Sequence, residues 1–323
     1  MIYSSPEAAS LASEGVGIKE KQISLAANPS YLAYSKTPVV IGSLYMHGSG
    51  NGNGAVRPSN LGFYIPIQNR FGIGARFRSV YGSEFPYSER NTSYQTQILG
   101  TYALSDSFSF FAGIGPSFTY RAREQSSWSW SIASGFQYTY QKFSVGFSFQ
   151  RPGEFSYKRY RGVDPLKEKL PDSYSLGLSY TLNQNFMFYS ELRRILWERS
   201  WFSINDNVNR PDFERGIGAE WKGSAGAVLT LENETSLWKF RTGIEMGGKY
   251  DENGKNNRST GLGLGLTYIP GNETEHGSIS YSFSMLDYSL LAKKGGRFPE
   301  TLFYFGISYI PPDTISQDNS IVK

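Results

Sequence analysis

The sequence predicts an all-β protein: a transmembrane antiparallel β-barrel of about fourteen strands, with residues 1–37 filling the lumen as a plug. Three observations lead there. The chain carries 23 Tyr, 22 Phe, 6 Trp and 35 Gly in 323 residues, a composition that suits pleated surfaces better than helices. Segments of about ten residues alternate large apolar with small polar side chains, and turn residues separate them. Mean hydropathy is only −0.40, and no run approaches the roughly 18 apolar residues of a membrane helix. A closed sheet needs only alternate residues to be apolar, because it pairs every backbone group within the ring.

Taken in order, strands are expected near 38–46, 60–68, 70–80, 92–103, 108–120, 128–140, 143–150, 173–182, 186–196, 214–231, 237–249, 260–269, 277–285 and 300–310. The alternation is cleanest in Phe143–Gln150, where Phe143, Val145, Phe147 and Phe149 oppose Ser144, Gly146, Ser148 and Gln150. In Ser278–Ser284, Ile279, Tyr281 and Phe283 oppose four serines. Connections alternate in length as well. Asn69, Leu104–Ser107, Gln141–Lys142 and Asn183–Asn185 are tight, whereas His47–Ser59, Tyr81–Asn91 and Arg151–Asp172 are long. That alternation marks an outer-membrane barrel with short periplasmic turns, long outer loops and both termini periplasmic. The stretch Gly223–Ser236 reads as one long strand or two pieces, so twelve strands is the alternative count. Aromatics near strand ends, among them Tyr120, Trp128, Trp130, Tyr138, Tyr140, Trp221, Trp238, Tyr268 and Tyr309, are expected to form interfacial girdles. The barrel should span 38–310, closed by Phe303, Phe305, Ile307 and Tyr309 facing lipid, with a disordered periplasmic tail at 311–323.

Residues 1–37 lack strand alternation and are rich in Ala, Ser and Gly. No basic and apolar leader follows Met1, so a secretory signal is expected outside this sequence. The segment contains Asn28-Pro29-Ser30. A small-residue N-terminus running through Asn-Pro-Ala/Ser into a fourteen-strand barrel resembles the FadL/TodX (OMPP1) family, and Gly216–Trp221 with Phe240–Gly243 resembles its paired-strand motif. The resemblance implies a lumenal hatch made by the N-terminal segment, with Asn28, Pro29 and Ser30 as its motif. It also implies passive uptake of hydrophobic or amphipathic small molecules such as long-chain fatty acids. The chain's modest length is closer to PorV-like relatives, which implies the alternative of a non-transport barrel that docks a partner protein, or a structural outer-membrane protein.

With aromatics facing lipid, alternation turns Arg76, Arg78, Glu191, Arg193, Glu220, Lys239, Arg241 and Glu245 into the lumen. A Lys or Arg facing lipid near the midplane costs about 2–4 kcal/mol, which favours that direction. These groups either neutralise one another and anchor the hatch or capture a substrate carboxylate. Phe85, Tyr87, Phe155, Tyr157 and Tyr160 stand beside basic residues in the long loops, where they are outer candidates for an amphipathic ligand, while the loop cations suit lipopolysaccharide phosphates. No enzyme is expected: the only two histidines, His47 and His276, fall at opposite ends of the barrel. No cysteine is present, no metal-ligand spacing is seen, and no cofactor is expected. The net charge of +4 is modest and is not gathered on one face, so nucleic acid is not a partner.

Overall fold

A computed structural model describes residues 5–47, 56–81, 92–121, 125–157, 166–196, 201–204, 207–209, 220–250, 256–271, 277–287 and 301–311. The N-terminal segment holds helix α1 (Pro6–Ser10), helix α2 (Lys21–Ala26) and a 3-10 helix (Pro29–Tyr34). Eighteen strands follow: β1 (Val39–His47), β2 (Val56–Gln68), β3 (Phe71–Tyr81), β4 (Thr92–Ala103), β5 (Phe108–Arg121), β6 (Gln125–Tyr140), β7 (Phe143–Arg151), β8 (Glu154–Tyr157), β9 (Leu166–Lys169), β10 (Asp172–Thr181), β11 (Phe186–Leu196), β12 (Trp201–Ile204), β13 (Asn207–Asn209), β14 (Glu220–Glu232), β15 (Ser236–Tyr250), β16 (Asn256–Pro270), β17 (Ser278–Asp287) and β18 (Thr301–Ile310).

Fourteen of these close into one antiparallel barrel, in which β18 returns to β1 through the register Val40↔Tyr309 to His47↔Leu302. Fourteen, and not twelve, is therefore the count. The ambiguous stretch around Gly223 belongs to β14, which turns at Asn233–Thr235 into β15. β14 begins at Glu220 within the described residues, and the stretch 214–219 lies outside them.

The sheet is inside-out relative to a soluble sandwich. Ile98, Ile114, Trp128, Trp130, Phe240, Ile244, Phe305 and Ile307 are exposed, while Ser43, Gln97, Ser131, Ser148, Ser284 and Ser308, on the opposite face, are buried. An exterior of large apolar side chains around a polar interior is the pattern of a membrane-spanning barrel. The lipid-facing placement of Phe305, Ile307 and Tyr309, and of Trp128, Trp130, Tyr138 and Tyr140, follows the alternation. Side chains of Tyr120 and of the tail beyond Pro311 lie outside the described residues.

The connections sort by end. Asn69–Arg70, Leu104–Ser107, Gln141–Lys142, Leu182–Asn185, Asn233–Thr235 and Gly271–Gly277 share one end, to which the start of β1 and the end of β18 also belong. Two of these turns need left-handed backbone from a residue with a side chain, Arg70 (φ 75°) and Gln141 (φ 50°). The other connections meet at the opposite end; most are longer, but only three residues separate Arg121 of β5 from Gln125 of β6 and five separate Tyr250 of β15 from Asn256 of β16. Two of them differ from the irregular loops expected there: residues 154–157, 166–169, 201–204 and 207–209 pair into a small sheet of order β13-β12-β9-β8. Pairing lets a long connection satisfy its own backbone groups. Ser127 Oγ tethers this sheet to β6, donating to Ser156 O at 2.7 Å and accepting from Ser156 N–H at 3.0 Å.

Ile98, on the outer face of β4, is 69% exposed and pairs with Ile114 of β5. We expect Ile98→Arg to destabilise the barrel by about 2–4 kcal/mol in denaturant titrations from lipid vesicles, and Ile98→Leu to be near neutral.

A candidate functional site in the barrel interior

The N-terminal segment is buried almost throughout, and its contacts are with inward-facing positions of the wall. α1 lies across β16, β17 and β18. Leu11 O then meets Gly243 of β15, Val16 O meets Gly146 of β7, and Gly17 packs on Gly177 of β10. These glycines make the path. A Cβ on Gly177 would sit 2.6 Å from the Gly17 nitrogen, and a Cβ on Gly17 would sit 2.6 Å from the Gly177 carbonyl carbon, so neither position has room for a side chain. α2 turns to β1, β2 and β3, and the 3-10 helix to β2 through β6.

Three apolar patches receive the segment. Ala8, Ala9 and Ala12 pack with Tyr45, Leu286, Leu302 and Tyr304. Leu25, Ala26 and Leu32 pack with Val39, Ile41, Tyr64, Leu99, Phe111 and Ala133. Leu11, Ile18 and Ile23 pack with Tyr189 and Val228.

Polar latches sit between these patches. Glu191 Oε2 accepts from Ser13 Oγ (2.8 Å), Gly15 N–H (2.9 Å) and Val16 N–H (3.1 Å), while Oε1 accepts from Glu14 N–H (3.4 Å). A turn with left-handed Ala12 (φ 48°) and Gly15 (φ 75°) aims these donors at one carboxylate. Arg193 pairs with Glu14 at 2.7 Å, and Arg241 and Lys239 hold Glu20 at 2.7 and 3.3 Å. Arg76 donates to Gln97 Oε1 and to the carbonyls of Ala26 and Ala27 at 3.0 and 3.3 Å. Arg78 donates to Gln95, and Glu245 pairs with Lys222 at 3.1 Å. Burial alone would raise the Glu20 carboxyl, but Arg241 and then Lys239 outweigh it and hold it at about 2.

The Asn28-Pro29-Ser30 motif is built into the same junction. Asn28 Oδ1 accepts from Ser30 Oγ (2.8 Å) and caps the 3-10 helix, and Pro29 takes its first position. Asn28 Nδ2 donates to Val16 O and to Phe136 O of β6, both at 3.0 Å, tying two parts of the segment to the wall.

Seven of the eight lumen candidates are therefore described on the inner face in polar contacts, and five of them, Arg76, Glu191, Arg193, Lys239 and Arg241, touch the N-terminal segment directly. The Glu220 side chain lies outside the described residues. Lys222, two residues further along β14, was legible from the same alternation. The segment's own acids, Glu14 and Glu20, were not, because an irregular chain has no period to read. Phe155 departs from expectation: it is fully buried in the small sheet and is not presented as an outer contact, because the loop carrying it is a paired strand. Phe85, Tyr87, Tyr160 and the Tyr157 side chain lie outside the described residues, as do residues 216–219 of the paired-strand motif.

No family model and no curated protein matches the sequence. Solved structures do match its shape. The Ralstonia pickettii toluene transporter TbuX superposes with a TM-score of 0.70 at 13% identity, covering 95% of this chain and 98% of that one. The monoaromatic hydrocarbon channel CymD gives 0.69 at 13% identity over 95% and 97%, and a Pseudomonas aeruginosa FadL homologue 0.64 at 12% over 96% and 98%. The chain has the FadL/TodX channel fold. Within that fold the N-terminal segment and its latches are the feature on which a function can be built.

Two outcomes test the latches, using single cysteines in a chain that has none. With Ser10→Cys as reporter, Glu191→Gln should speed labelling by dithiodipyridine about tenfold or more, since charge-assisted hydrogen bonds contribute about 1.5–3 kcal/mol, while the barrel's own unfolding changes little. The Glu20 latch has a depressed carboxyl, so its contribution is complete above the ordinary value of 4.5 and is lost as pH falls through about 2. Labelling of Ser24→Cys should therefore stay slow at pH 4 and accelerate toward pH 2, and Glu20→Gln should remove that step.

Proposed function

We propose that the chain is a passive outer-membrane channel for hydrophobic or amphipathic small molecules, with residues 5–37 as a plug that blocks free diffusion. The observation that carries this reading is the interior filled by a segment joined to the wall through separable polar latches. A purely structural barrel has no need of such a joint, whereas a channel for scarce apolar molecules needs a closed state. The shared fold with a toluene transporter and a monoaromatic hydrocarbon channel supports it. In this reading the end with short turns and both chain ends is periplasmic, and the outer candidates and loop cations face the lipopolysaccharide.

The same contacts bear on the substrate. Arg193, Lys239 and Arg241 are each matched by a carboxylate of the plug, which suits a role in anchoring it, and Lys222 is matched by Glu245 of the wall, so long-chain fatty acids lose the most obvious carboxylate receptors.

The test is uptake by cells lacking their own hydrophobic-compound channels, with and without this protein, of radiolabelled toluene and oleate. Expression should raise uptake of toluene at least; no change for either compound overturns the reading, and a stoichiometric co-purifying protein would then favour partner docking. In planar bilayers the full chain should be nearly silent, and deletion of residues 5–36 should produce steady conductance of a wide pore.

A further inference from the structure

Resting on the channel reading, the small sheet at the end opposite the short turns carries a second joint. Its strand β8 takes no part in the barrel ladder, because the barrel and the strands β13-β12-β9-β8 form separate sheets. The sequence enforces that break. β8 leaves β7 through Pro152-Gly153, and β9 returns to β10 through Leu170-Pro171; a proline has no N–H with which to continue a ladder. Gly153 has a positive φ of 100°, and a Cβ there would meet Trp130 O at 2.3 Å, so only glycine makes the turn. Below the two links the wall is clamped by an ion pair, in which Arg151 Nε and Nη2 donate to Asp172 Oδ1 and Oδ2 at 3.1 and 3.0 Å.

What β8 rests on is the inner face of β6. Alternation puts Ser127 and Ser129 on the side of the buried Ser131 and Ala133, while Trp128 and Trp130 are exposed on the other side. Ser127 Oγ donates to Ser156 O and accepts from Ser156 N–H, and Ser129 Oγ accepts from Glu154 N–H at 3.0 Å. Hence β8 lies inside the ring at its mouth. Each barrel strand is fixed to its neighbours by a ladder of backbone hydrogen bonds, whereas three bonds from two hydroxyls fasten β8 to the wall. Water can replace a serine in each of these bonds, so each contributes little net free energy.

We propose that the four-stranded sheet is a lid on this mouth, swinging on Pro152-Gly153 and Leu170-Pro171 and held shut against β6 by Ser127 and Ser129. The channel then has two closures in series, and an apolar molecule passes the lid before it reaches the plug. The Arg151–Asp172 pair keeps the top of the wall joined as the lid opens.

A chain without cysteine allows the lid to be locked. Ser127→Cys with Ser156→Cys, joined by oxidation or by a short bis-maleimide and checked by mass, should bring toluene uptake down to that of cells without the protein; reducing the disulfide should restore it. Full uptake by the joined chain overturns the lid and leaves the channel reading intact. An accessibility readout serves where the thiols do not join or no transport is seen. Ser117 pairs with Ser129 across β5 and β6 and is 1% exposed. Labelling of Ser117→Cys by dithiodipyridine should speed up about tenfold or more when Ser127→Ala and Ser129→Ala are added, as expected for three lost hydrogen bonds, while Glu191→Gln leaves it unchanged. Labelling unmoved by the serine substitutions, or accelerated by Glu191→Gln instead, overturns the lid. Accelerated labelling in a chain that takes up no toluene in any form supports the lid and counts against the channel reading alone.

Discussion

The rule that a lipid-embedded backbone can leave no N–H or C=O unpaired governs this structure. It forces the sheet to close, and the β1–β18 pairing does so over Val40–His47 and Leu302–Tyr309. Closure in turn fixes what each residue faces, because side chains alternate between a hydrocarbon solvent and an enclosed interior. Most of the large apolar residues go outward, so the greater part of the usual driving force for filling a core is spent on the membrane, and only three apolar patches remain on the inner wall. A ring of fourteen strands is also too wide for its own small inward side chains to fill. Something else must occupy it, and here it is the chain's own N-terminal segment.

How that segment is held can be divided by magnitude. Burying one Leu or Ile side chain contributes about 1.5–3 kcal/mol, and Leu11, Ile18, Ile23, Leu25 and Leu32 are all fully buried against the wall. Buried ion pairs come out near zero against their desolvation, although removing one partner is costly. Adhesion therefore comes from the apolar patches, and position comes from the latches. Glu191 illustrates the difference: one carboxylate gathers a side-chain hydroxyl and successive backbone N–H groups, an arrangement that tolerates no shift of the turn by even one residue. The glycine contacts act in the same sense, since Gly17 can meet Gly177 only where both lack a side chain.

Similarity at 12–13% identity over some 95% of the chain belongs with this picture. The wall constrains residue class at each position, apolar outward and small or polar inward, and hardly constrains identity. Sequence comparison loses what the pattern keeps.

By itself the sequence determined the barrel, its strand order and the inward direction of Arg76, Glu191, Arg193 and Arg241, because period-two alternation is a local property that composition reports directly. It also singled out Asn28-Pro29-Ser30, through the family resemblance, as the motif of the N-terminal segment; that Asn28 caps a 3-10 helix came from the structure. Only the tertiary structure decided the partners. Which acid meets Arg193, why Gly177 must be glycine, and that Phe155 is buried in a paired loop all depend on contacts between residues far apart in the chain. An irregular segment threaded through a ring carries no period from which such pairings could be read.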